Sequence, residues 1–201
     1  MGNKEAKHHI DRAGVLGLVL AGGDSRRMDG PDKADMVLAG QTLLGRAVAC
    51  MAAQVSSLAI SSNRPRPIFE GQGNPIIADI VSNRPGPLAG LLSAMAWADE
   101  AGTDTEWIFC LSMDTPLAPI DLLDELIDQY RAGDQALVAR SNGRLHPTIG
   151  LYSLSLAPDL GKYLASGERK AVRWVDLISA RIVDYGSVDP DPFFNVNTPE
   201  D

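Results

Sequence analysis

The sequence predicts an α/β fold: a mostly parallel, twisted sheet of the doubly wound kind, with helices on both faces. Three observations lead there. Short apolar runs bounded by Gly or Pro alternate with stretches of helical apolar spacing as far as about residue 140. The runs are apolar at nearly every position, as in strands covered on both faces, rather than at every second one. The 201 residues contain no repeat, low-complexity tract or linker, which fits one domain. That domain is expected over residues 14–201, behind a loose polar tail at 1–13 carrying His8 and His9.

The elements follow in order. Val15–Leu20 (VLGLVL) is the first strand, ended by Ala21-Gly22-Gly23, and a polar loop runs from Asp24 to Asp35. Thr42 is placed to cap a helix whose apolar face is Leu44, Ala47, Val48, Met51 and Val55. Strands are expected at 58–61 and 75–78, separated by Pro65, Pro67, Gly71 and Gly73. Arg84-Pro85-Gly86-Pro87 opens a helix with Leu88, Leu91, Leu92 and Met95 inward and Pro87 at its first position. A buried strand at 107–111 precedes a helix facing inward through Ile120, Leu123, Leu126, Ile127 and Tyr130. Strands at 135–140 and 147–152 flank a Ser141-Asn142-Gly143 turn, and helices at 159–165 and 170–178 lead to a last strand at 180–184. In such sheets ligands bind at the carboxyl ends of the strands, so the loops after the first, third and fourth strands are the candidates.

Composition narrows the function. Acids exceed bases, for a formal charge of −8, which argues against a nucleic-acid partner, since that role rests on neutralising phosphates with Lys and Arg. No apolar run is long enough to cross a bilayer, and residues 1–14 lack a signal-peptide apolar region. Cys50 and Cys110 are too few for a disulfide framework, and a cytoplasmic setting is expected.

The loop after the first strand is the strongest functional signal. In LAGGDSRRMDGPDK (residues 20–33), Gly22 and Gly23 let the backbone approach an anion closely, and Arg26, Arg27 and Lys33 supply charge for phosphates. It lacks the Gly-Lys-Ser/Thr of a Walker loop and has no GxGxxG, so the residues alone leave a phosphate cradle and a solvated loop both open.

This segment resembles the signature of the sugar-nucleotide and cofactor nucleotidyltransferases. Together with RPGPLAGLLSAM (84–95), MDTP (113–116), HPTIGLY (146–152), GERKAVR (167–173) and NVNTPED (195–201), the chain resembles the molybdenum cofactor guanylyltransferase family. The resemblance implies a Rossmann-like sheet of the nucleotide-diphospho-sugar transferase type. It implies transfer of GMP from GTP to molybdopterin with release of pyrophosphate, dependent on Mg²⁺. It also implies transient contacts with cofactor-biosynthesis or molybdoenzyme-maturation proteins. By the same resemblance Leu20, Ala21, Gly22 and Gly23 meet the nucleotide, Lys33 its phosphates, and Arg26 the triphosphate. A cytidylyltransferase for the same cofactor, a sugar-phosphate nucleotidyltransferase and a non-catalytic nucleotide binder remain as alternatives.

The remaining candidates are acids, amides and a second basic cluster. Asp79 ends the third strand, where a carboxylate accepts hydrogen bonds from a base edge or ribose or stays a solvated loop acid; the resemblance makes it a GTP contact. Asp114, just past the strand at 107–111, suits a hard cation bridging phosphate oxygens or a helix cap; the resemblance favours metal. Ser61 stands where the family commonly has a nucleotide-contacting asparagine, with Asn63 two residues on. Asn195 and Asn197, at period two, would point the same way on an extended strand, and Asn197 is a second candidate metal ligand. His146, Lys162, Arg169, Lys170 and Arg173 concentrate positive charge in the last third. Arg169 and Arg173 would share a helix face entered at Ser166-Gly167. By resemblance His146, Arg169, Lys170, Asn195 and Asn197 belong to the molybdopterin half, although a histidine at 146 suits a structural hydrogen bond better than a base. Asp35, beside Lys33, has no role in this reading.

Overall fold

The computed structural model describes residues 9–22, 33–64, 73–81 and 86–198. His8, Gly23, Arg26 and Arg27 lie outside the described residues. One seven-stranded sheet dominates, built from β1 (Val15–Leu20), β4 (Ser57–Ser61), β5 (Ile76–Ile77), β6 (Trp107–Ser112), β7 (Ala136–Ser141), β8 (Arg144–Ser153) and β9 (Arg181–Asp184). Their order is β5-β4-β1-β6-β8-β7-β9. β1 is parallel to β4 and β6, and β4 to β5. β8 runs antiparallel to both neighbours, and β7 is parallel to β9. The expected mostly parallel sheet is therefore present, with β8 as its reversed strand.

Helices cover both faces. α1 (Leu43–Ala52) and α3 (Leu122–Asp128) pack on one face, where Leu44, Val48, Met51, Leu123 and Leu126 meet Val19, Phe109 and Leu111. α2 (Pro87–Glu100), α4 (Ala157–Ala165) and α5 (Ala171–Leu177) cover the other, where Leu91, Met95, Leu160 and Trp174 meet Leu18, Ile108 and Val138. All six residues of β1 are buried because alternate side chains serve the two cores. Thr42 caps α1, its Oγ1 accepting from Gly45 N–H at 3.0 Å, and Pro87 opens α2.

Several expectations shift. Ile10, within the expected tail, is only 2% exposed and packs in the core. Asp11, Arg12 and Ala13 beside it are exposed. Ile120 is 75% exposed because α3 starts at Leu122, leaving it ahead of the first turn. The third strand shrinks to two residues. A small hairpin was not anticipated: β2 (Val37–Leu38) pairs with β3 (Gln41–Thr42) around Ala39 and Gly40, both at positive φ. Its signal was the Ala-Gly pair between two short extended runs, too short for periodicity to register. β7 and β8 continue to the Asn142-Gly143 turn, also at positive φ. Pro147 sits where their register shifts, a place where its missing N–H is tolerated.

Candidate active site

β1 is central because the chain leaves it toward β4 on one side and returns beside it as β6 on the other. At that reversal the carboxyl ends of β1 and β6 border a crevice, and backbone bonds tie the edges together. Met113 N–H donates to Leu20 O (3.2 Å), and Ala21 N–H donates to Ser61 O (3.0 Å).

Asp114 stands at the crevice. Its Oδ1 accepts from Ser112 Oγ at 2.6 Å. Thr115 tightens the turn, its hydroxyl donating to Ser112 O at 2.7 Å. Lys33, in the 3₁₀ turn Lys33–Asp35, directs Nζ toward Asp114 Oδ2 (3.4 Å) and donates to Asn197 Oδ1 at 2.5 Å. The Lys33 and Asp114 side chains keep 28% and 18% of their surface exposed, so the pair is reachable but shielded. Asn197 is brought there by backbone: Val196 N–H donates to Asp114 O at 2.9 Å, and Asn197 Nδ2 donates to Asn195 O at 3.1 Å. No strand forms at 195–197. The expectation of two amides aligned by a strand gives way to one side chain, Asn197, beside Lys33, with Asn195 contributing its carbonyl.

The β4–β5 flank holds the candidates for the base. Ser61 is 3% exposed, with its hydroxyl where α2 crosses it: a Cβ on Gly90 would lie 2.4 Å from Ser61 Oγ. A larger residue at 61 would meet that helix. Asn63 pairs with Asp79 twice: its Nδ2 donates to Asp79 Oδ2 (2.7 Å), and its Oδ1 accepts from Asp79 N–H (2.8 Å). Burial raises the Asp79 pKa, partly offset by the Asn63 bond. Ile80 N–H donates to Ser93 Oγ on α2 (2.9 Å), fixing this loop over the α2 face.

The second basic cluster is organised differently. Ser166 and Gly167 close α4 rather than opening α5: Gly167 takes φ +89°, and its N–H donates to Leu164 O at 3.1 Å. Arg169 therefore precedes α5 and does not share a helix face with Arg173. Its guanidinium donates to the carbonyls of Leu164 and Glu168, both at 2.6 Å. Arg173 pairs with Glu168, and Lys162 with Asp159 at 2.9 Å. Lys170 is exposed, and its carbonyl accepts from Tyr163 OH at 2.9 Å.

His146 is 4% exposed. Ser141 Oγ donates to Asp191 Oδ1 (2.7 Å) and lies 2.8 Å from His146 Nε2; since the hydroxyl has one proton, Nε2–H is the donor in the second bond. Burial lowers the His146 pKa, against the pull of the Asp191 charge. Burial alone would raise Asp191, but the bonds from Ser141 and Phe193 N–H hold it below the ordinary carboxylate value. The thiols suit no nucleophilic role, because burial raises both and Cys110 is enclosed. Both are free.

Among the described residues no group of three or more His, Cys, Asp or Glu could hold a metal. The donors at the crevice are oxygens, Asp114 Oδ and Asn197 Oδ1, which suit a hard cation that takes one or two protein oxygens and the rest from phosphates and water. No helix among the described residues is long and apolar enough to cross a membrane.

Comparison with known proteins points to one family over most of the chain. The model of the MobA-like NTP transferase domain matches residues 17–181. A Rhodopseudomonas palustris protein named molybdenum cofactor guanylyltransferase is 41% identical over 197 residues, covering 95% of this chain and 92% of its own. A Cereibacter sphaeroides protein of the same name is 38% identical over 188 residues, covering 93% of each. Among solved structures, molybdopterin-guanine dinucleotide biosynthesis protein A from Archaeoglobus fulgidus aligns with TM-score 0.69 at 23% identity, over 92% of this chain and 93% of its own. The 4-diphosphocytidyl-2C-methyl-D-erythritol synthase of Anaerococcus prevotii gives 0.69 at 13%, over 95% and 93%. These two likenesses are of fold.

Proposed function

The chain belongs to the MobA-like NTP transferase family, and from that premise we propose that it transfers GMP from GTP to molybdenum-molybdopterin, forming the guanine dinucleotide and releasing pyrophosphate. The observation that carries this reading is the Lys33 ammonium set between Asp114 and Asn197 where β1 and β6 end. An oxygen of the acceptor phosphate attacks the α-phosphorus of GTP as the bond to the β-phosphate oxygen breaks. The acceptor is already anionic at neutral pH, so the site needs positioning and charge neutralisation rather than a strong base.

In this reading Lys33 neutralises phosphate oxygens near the α-phosphorus. Its ion pair with Asp114 opens as the substrates arrive. Ser112 keeps the Asp114 carboxylate oriented, and Asn197 orients Lys33 and the acceptor phosphate. Asp114, with Asn197 second, would hold Mg²⁺, which when bound offsets charge on the departing pyrophosphate. The turn at Ala21-Gly22 approaches the nucleotide through its backbone. Asn63 and Asp79 meet the guanine edge in place of the buried Ser61. Arg26 completes the triphosphate cradle on the strength of the family resemblance. The enzyme works in the cytoplasm and passes its product to maturation proteins by transient contact.

Pyrophosphate release with molybdopterin, Mg²⁺ and each nucleoside triphosphate tests the proposal. GTP is expected to support turnover. Turnover with CTP and none with GTP would replace guanylyl by cytidylyl transfer, and nucleotide binding without turnover would leave a non-catalytic binder.

A further inference from the structure

The segments bearing Lys33, Asp114 and Asn197 run on into the walls of one cavity. Asp35 follows Lys33 by two residues, Leu117 follows Asp114 by three, and Phe194 and Thr198 bracket Asn197; with Val37 and Leu38 of β2 they enclose about 470 Å³. That lies within the range of small-molecule sites, roughly 300–1,000 Å³. Val37, Leu38, Leu117 and Phe194 keep 66%, 39%, 45% and 43% of their surface exposed. Single exposed hydrophobes are ordinary, but four around one hollow beside a charged crevice mark a binding surface.

The cavity lies on the α1 side of the sheet, since Leu43 at the start of that helix also lines it. The Asn63–Asp79 pair is fastened over the α2 side. The Lys33–Asp114 pair thus stands between a polar flank and an apolar one. Resting on the proposed transfer reaction, with the donor base on the polar flank, we infer that this cavity seats the fused nitrogen-heterocyclic ring system of the acceptor. Phe194 and Leu117 pack on the ring faces, and the Asp35 carboxylate accepts N–H donors from the ring edge. A ring system with apolar faces and a hydrogen-bonding edge is what this distribution of side chains recognises. The acceptor phosphate then points out of the cavity toward Lys33. Asp35 gains a purpose: its charge faces a ring edge, while Lys33 faces phosphate.

The test uses the full chain with GTP, Mg²⁺ and molybdopterin. Phe194→Ala combined with Leu117→Ala removes exposed side chains, and thermal melts check that the fold persists. The KM for molybdopterin is expected to rise about tenfold or more, with the KM for GTP changed less than about twofold. Asp35→Asn should raise the acceptor KM alone, by a smaller factor. An unchanged acceptor KM in both variants overturns the inference. So does a parallel rise in the KM for GTP, which would give the cavity to the donor, or a loss of self-association by light scattering with KM unchanged, which would make it a contact between copies. Free pterin, titrated without GTP, should shift the amide resonances of Val37, Leu38 and Leu117. That binding in a wild-type protein with no transferase activity would sink the proposed function and keep the cavity's assignment. Normal transfer with no such binding and an unaltered KM would sink the assignment alone.

Discussion

The molecule carries two groups of basic residues, and their surroundings differ in kind. Lys33 draws its partners from far along the chain, Asp114 at a separation of 81 residues and Asn197 at 164. Lys162, Arg169 and Arg173 are satisfied within five residues of themselves, by Asp159, by the carbonyls of Leu164 and Glu168, and by the Glu168 carboxylate. A cation positioned by three separate elements keeps its place when a ligand displaces a partner. A cation folded onto its own turn is closing that turn. Under the proposed function, convergence of elements at a strand reversal marks the site, whereas clustering of charge along the sequence marks a pair of helix ends.

The largest test of that contrast is Asp114→Ala. On the order of a thousandfold loss of kcat is expected, with the melting temperature nearly unchanged because the side chain stands at the crevice rather than in a core; undiminished steady-state turnover would end the metal-holding assignment. Lys33→Ala comes next. Losing a charge-assisted contact of about 1.5–3 kcal/mol should lower kcat/KM for GTP by about ten- to a hundredfold, read from initial rates across GTP concentrations. Asn63→Ala should raise the KM for GTP by about tenfold or less and narrow the preference over CTP; an unchanged preference would move base recognition elsewhere.

A smaller effect concerns the inward-turned His146. Burial lowers its pKa in the folded state, so below the unfolded value of about 6.5 the unfolded chain binds more protons than the native one. Stability should therefore be full above that pH and decline as pH falls through it. Urea melts between pH 5 and 8 should show the slope, and His146→Gln should remove it in that range. Smallest of all, Arg173→Ala is expected to change stability by about 0.5 kcal/mol or less, as for an exposed ion pair, and to leave both substrate KM values alone. A raised acceptor KM there would break the contrast between the two basic groups.

Much of the architecture could be read from sequence because it rests on local pattern. The apolar run of β1 between Gly14 and Ala21-Gly22, the Thr42 cap and Pro87 at the head of α2 each state their structure within a few residues. The misreadings share another cause. Whether Ser166-Gly167 ends one helix or begins the next depends on Gly167 adopting positive φ, which composition does not reveal. The position of Asn197 depends on the bond between Val196 N–H and Asp114 O, which no periodicity reports. Lys33 and Asp114 were recognisable as types at strand ends, but their meeting required the strand order. That position 61 must be small follows from the passage of Gly90 over Ser61 Oγ, a contact between β4 and α2 that no local pattern reports.

The bond that fastens Val196 to Asp114 also bears on how the protein matures. It seats Asn197 against Lys33, 164 residues away, and closing a loop of that length costs more chain entropy than closing a short one. A partly folded form with a native β1–β6 core but an undocked 194–198 segment lacks Asn197 at the lysine and two walls of the adjoining hollow. Such a form would be compact yet catalytically silent. In a refolding experiment, recovered activity would lag behind recovered secondary structure, and would count only the molecules that have completed that closure.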